Sequence, residues 1–86
     1  MDELIHELTL VLLREFPGSM PELEQAKPLQ KVGGYLIWNG FEGIEQIDRQ
    51  RQLTAAIKRT LPPSEQLRVT TILTVTPEES ELMRAE

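Results

Sequence analysis

Ten residues near the C-terminus, Leu67 to Thr76, carry the pattern that most restricts the fold. In an extended chain Leu67, Val69, Thr71, Leu73 and Val75 fall on one side, and Arg68, Thr70, Ile72, Thr74 and Thr76 on the other. The segment reads as a strand with a dry first face and a threonine-rich, partly wet second face. An isolated strand leaves its backbone donors and acceptors unpaired, so it commits the chain to a sheet. The strand runs into Thr76-Pro77-Glu78-Glu79, a compact helix start. Threonine caps, proline takes the first helical position, and Glu79 three residues on closes a capping box. Ser80 to Arg84 then forms a short terminal helix, with Leu82 and Met83 available for docking.

Two longer helices are expected upstream. From Asp2 to Phe16, residues Leu4, Ile5, Leu8, Val11, Leu12 and Leu13 build one apolar stripe, with Asp2 as the cap and Pro17-Gly18 as the stop. From Ile44 to Leu61 the stripe is Ile44, Ile47, Leu53, Ala56, Ile57 and Leu61. Arg49, Arg51, Gln52, Lys58 and Arg59 take its wet side, and Pro62-Pro63 ends it. Tyr35-Leu36-Ile37-Trp38, bounded by Gly33-Gly34 and Asn39-Gly40, reads as a buried strand. Between Ser19 and Gly34 the pattern is weak. An edge strand at Leu23–Ala26 or Leu29–Val32 competes there with a loop, since proline is tolerated at sheet edges. The order α-β-β-α-β-α gives a small two-layer α+β sandwich, a three-stranded mixed sheet with helices on one face, in a single domain over residues 1–86.

Composition narrows the chemistry. The 86 residues contain no cysteine and one histidine, so no disulfide, thiolate zinc site, cysteine nucleophile or His-rich metal site is expected. Fourteen acidic against nine basic side chains give a net charge of −5, a poor basis for non-specific nucleic-acid binding. No apolar run is long enough to span a membrane, and the first residues do not read as a signal peptide, so the expected compartment is the cytoplasm.

Few residues suggest a site. Gly40-Phe41-Glu42-Gly43 reads either as a GxxG loop, with Gly40, Phe41 and Gly43 letting the backbone approach a nucleic-acid phosphate, or as a turn whose Phe41 plugs the core. Glu42 places a charge in it that phosphate would repel. Arg49-Gln50-Arg51, with Lys58, Arg59 and Arg68, is the only basic cluster. It reads as a solvated face or as a surface for phosphate or an acidic partner. Arg49 and Arg51, two residues apart on a helix, diverge too far to form one clamp. His6, flanked by Glu3 and Glu7, has no catalytic partner in sequence, and no serine lies in a nucleophile-elbow pattern.

Set in order, Phe41-Glu42-Gly43, Arg49-Gln50-Arg51, a helix ending near Leu61, and Val69-Thr70-Thr71-Ile72-Leu73-Thr74-Val75-Thr76-Pro77-Glu78-Glu79 resemble the BolA family over residues 35–82. The resemblance implies a class II KH-like fold and a non-enzymatic adaptor or regulatory role. Members of that family pair with monothiol glutaredoxins around a shared [2Fe–2S] cluster held partly by histidine. Gln50 and Thr70 stand where the family places histidines, and both are poor iron ligands. The expectation is therefore a protein-binding domain with no cofactor, no bound metal and no catalytic residues. Its contact residues would be Arg49, Gln50, Arg51, Arg68 and Thr70. A glutaredoxin-like partner is implied by the resemblance, and self-association through the sheet or helices is a further expectation. The alternative is a KH-like nucleic-acid-binding module built on Gly40–Gly43 and the following arginines.

Overall fold

The computed structural model describes residues 3–26 and 31–84. Helix α1 (Glu3–Glu15) is followed by strands β1 (Met20–Ala26) and β2 (Lys31–Ile37) and a 3-10 turn at Asn39–Phe41. Helix α2 (Gln46–Thr60), the one-turn helix α3 (Pro63–Gln66), strand β3 (Val69–Val75) and helix α4 (Pro77–Arg84) complete the chain. The sheet order is β1-β2-β3, with β1 antiparallel and β3 parallel to β2. This is the expected α+β architecture around a three-stranded mixed sheet. Among the described residues no helix is long and apolar enough to cross a membrane. The expected Asp2 cap and the Leu29–Gln30 part of the alternative strand lie outside the described residues.

The core forms where α1 and α2 lie on one face of the sheet. Leu4, Leu8, Val11 and Leu12 from α1 meet Leu53, Ala56 and Ile57 from α2 over Val32, Leu36 and Ile72. Phe16, Trp38 and Phe41 lock the end of this layer, with ring centroids 5.1–5.8 Å apart, and the Trp38 indole N–H donates to the Pro17 carbonyl at 2.9 Å. Helix α4 is the exception to helices gathered on one face. Its Ser80, Met83 and Arg84 share a small cavity with Tyr35 and Glu22. Tyr35 alternates with the buried Leu36, so that cavity lies on the opposite side of the sheet. An Arg84–Glu22 ion pair fastens the helix to β1.

Three sequence expectations change. Segment 19–34, read as a weak strand or a loop, contains all of β1 and the start of β2. Gly33 and Gly34, expected as turn punctuation, lie inside β2 because neighbouring backbone comes too close for a side chain. A Cβ on Gly33 would sit 2.7 Å from Thr70 Cγ2 and 2.8 Å from the Thr71 carbonyl oxygen; one on Gly34 (φ +141°) would sit 2.0 Å from the Glu22 carbonyl oxygen. The two faces of β3 are also rearranged. Val32 pairs with Val69 but Gly34 pairs with Ile72, so β3 carries one extra residue opposite the glycines. Val69 consequently packs with Ile72 on the core side, Thr74 is buried, and Leu73, expected on the dry face, is 43% exposed. The third change is in α2. Ile47, placed in its apolar stripe, is 57% exposed, while Arg49, placed on its wet side, is 5% exposed.

The close approach at Gly34 gives a direct test. Gly34→Ala should lower stability by about 2–3 kcal/mol, read as the shift in a urea unfolding curve. Leu73→Thr, on the open side of β3, should stay within about 0.5 kcal/mol of the parent. A Gly34→Ala variant as stable as the parent would contradict this geometry.

Candidate functional site

Arg49 enters the interior from the first turns of α2, on the same helix face as the buried Leu53, Ala56 and Ile57. Its Nε donates to the Ile44 carbonyl at 2.7 Å. Its Nη1 donates to the Thr74 carbonyl at 3.2 Å and to Glu79 Oε1 at 2.7 Å. Nη2 reaches Glu79 Oε2 at 3.4 Å, and the guanidinium lies 5.7 Å from the centre of the Phe41 ring. Glu79 also closes the expected capping box, accepting from the Thr76 backbone N–H at 2.8 Å while its own N–H donates to Thr76 Oγ1 at 3.2 Å. Arg49, Phe41 and the terminal-helix start thus form one structural assembly. A residue expected at a partner surface is fully occupied inside the fold.

Two glutamines extend the network along the outer edge of β3. Gln46 Nε2 donates to the Thr74 carbonyl at 2.8 Å, and its Oε1 accepts from Thr74 Oγ1 at 2.9 Å. Gln50 Nε2 donates to the Ile72 carbonyl at 3.0 Å and to Thr74 Oγ1 at 3.1 Å. Thr74 is therefore buried with its hydroxyl and carbonyl both satisfied. The outward carbonyls of an edge strand normally invite another chain, and here the helix beside it takes them.

Past Gln50 a groove of about 330 Å³ opens between α2 and β3. Gln50 and Thr70 both line it, together with the apolar Leu53, Ile57, Val69 and Ile72. Lys58 and Thr54 stand on the helix side and continue into a shallow adjoining cleft with Ile47, Arg51 and Ala55. Lys58 belongs to the basic cluster of the sequence but not to the five expected contact residues, and Thr54 was not singled out, although they lie eight and four residues after Gln50 and so share its helix face. Arg51 is exposed, 3.6 Å from Asp48. Arg68 is half-buried and does not line the groove; its carbonyl accepts from the Val32 N–H at 2.7 Å. Of the five expected contact residues, the fold brings Gln50 and Thr70 together, puts Arg51 on the adjoining lip, and withdraws Arg49.

The Gly40–Gly43 loop has a different setting. Phe41 is fully buried, and Gly40 lies against the Trp38 ring, where a Cβ would be 2.5 Å away. The cleft beside the loop is lined by Glu42, Glu78, Glu79 and Glu81, with Arg49 already paired to Glu79. Such a setting repels a phosphate. Near the other end of the groove, the Glu65 carboxyl is pushed above the usual carboxylate range by desolvation and by the neighbouring Glu7. His6 is exposed on α1, and among the described residues no group of three or more potential ligands could hold a metal ion. In comparisons with known proteins, no family model and no curated protein matches the chain.

Arg49 holds Glu79 below the usual carboxylate range, helped by the Thr76 N–H. A carboxyl with a lowered folded pKa contributes stability that is complete above the unfolded value and is lost as pH falls through the folded one. Glu79→Gln should therefore lower the urea midpoint at pH 6.5, with the gap to the parent closing towards pH 3. Arg49→Ala should cost about 3 kcal/mol at neutral pH, because it removes packing and several hydrogen bonds at once. A constant Glu79→Gln gap from pH 6.5 to 3 would contradict the ion-pair account.

Proposed function

We propose that this chain is a non-enzymatic, BolA-like adaptor or regulatory domain that binds another protein through the α2–β3 groove, without a shared iron–sulfur cluster. The observation that carries the reading is the convergence of Gln50 and Thr70 on one groove, since these are the positions the family resemblance marks for partner contact. The α-β-β-α-β-α order with a mixed sheet supports the resemblance, apart from the additional short α3. The groove residues do not fit a cluster. The Gln50 amide nitrogen is spent on β3, Thr70 offers a neutral hydroxyl, and the chain's only histidine is on α1. The KH-like nucleic-acid alternative is disfavoured by the carboxylates around Gly40–Gly43.

Capture from native extract on the immobilised chain tests the reading. The expected result is one specific partner that is lost with the double variant Arg51→Glu/Lys58→Glu. Both residues are exposed, so the fold is preserved, whereas a change at buried Arg49 would confuse binding with unfolding. Equal recovery on parent and variant would overturn the groove assignment. Mixing with a [2Fe–2S]-loaded monothiol glutaredoxin should leave the cluster's visible spectrum unchanged, and a new spectrum would overturn the cluster-free part of the proposal.

A further inference from the structure

The groove has an open side and a charge that together specify what fits it, given the reading that it binds protein. Strand β3 is an edge of the sheet. Gln46, Arg49 and Gln50 hold the carbonyls of Thr74 and Ile72, closing the C-terminal half of that edge. The N-terminal half is different. Arg68 turns its carbonyl to the Val32 N–H on β2, so the next residue, Val69, turns its own N–H and carbonyl to the open side, and Thr70 and Thr71 beyond it are exposed. The α2 side chains opposite are Leu53, Thr54, Ile57 and Lys58, of which the first and third cannot hydrogen-bond. From Val69 to Thr71 the edge measures about 7 Å, enough for a strand of about three residues.

Charge supplies the second half of the argument. The chain carries fourteen acidic side chains against nine basic ones, yet among the described residues neither the groove nor the adjoining cleft has a carboxylate in its lining. Their charged side chains are Lys58 and Arg51, with Asp48 facing Arg51 from outside. The groove also lacks an aromatic side chain on which a base could stack, which favours a peptide over a single-stranded nucleic acid. We propose that the Val69–Thr71 edge of β3 takes an extended acidic peptide segment as a short fourth strand. Its apolar side chains would lie against Leu53 and Ile57, and its carboxylates would lie towards Lys58 and Arg51.

The test is an amide chemical-shift titration of the full chain with the blocked hexapeptide Glu-Thr-Val-Thr-Glu-Thr, whose glutamate and valine side chains share one face of an extended strand. Shifts concentrated at Thr70, Thr71 and Lys58 are expected. Replacing glutamate by lysine in the peptide, N-methylating its alternate backbone amides, or using the Lys58→Glu chain should each weaken binding at least tenfold. Equal binding of the N-methylated peptide would overturn strand addition, and equal binding of the lysine peptide would overturn the acidic preference. Shifts at Thr70 produced by oligothymidylate in place of the peptide, or by raising the protein concentration alone, would assign the groove to nucleic acid or to a second copy and overturn the proposal. If no peptide binds while extract capture still depends on Arg51 and Lys58, this inference fails and the adaptor reading stands. Peptide binding without any captured partner gives the reverse.

Discussion

A guanidinium withdrawn from water is costly unless every donor is matched, and the placement of Arg49 governs much of this fold. Its charge is balanced by Glu79, and its remaining contacts are the Ile44 and Thr74 carbonyls and the face of Phe41. These partners come from the turn before α2, the end of β3 and the start of α4. The turn, the strand end and the last helix therefore have to be in place together. Glu79 can serve Arg49 only from the first turn of α4, where the Thr76 cap fixes it. One buried side chain thus makes the terminal helix part of the domain.

The same placement separates core from surface along α2. Arg49 and Arg51 look equivalent in the sequence, yet two helical residues of separation send one into the core and leave the other in solvent. Gln50 between them has a divided role, its amide nitrogen holding the sheet edge while its side chain forms one wall of the groove. Substitutions in this triplet will therefore differ in kind.

What was legible in the sequence follows from which interactions are local. The helical spacing of α1, the extent of α2 and the capping box at Thr76 are written in residues a few positions apart and appear close to where expected, although Ile47 and Arg49 of α2 exchange faces. Strand β1 was obscure because Pro21, Glu22 and Glu24 suit an edge, and only pairing with β2 makes the segment regular. The faces of β3 were misassigned because its extra residue depends on the bare Gly33–Gly34 backbone some forty positions away. Arg49 was misplaced for a similar reason: its partner Glu79 is thirty residues distant. Gln50 and Thr70 were marked by family resemblance and Lys58 by the basic cluster, whereas Thr54 became visible only once the groove gave the Gln50 face of α2 an opposite wall.

The glutamine clamps on Ile72 and Thr74 also set a limit on growth. A sheet lengthens indefinitely when each added strand offers a fresh edge at least as long as the one it covered. Here the closed half of β3 allows only a stub, too short to template a further full-length strand. The β3 edge is thereby a poor template for a fibril.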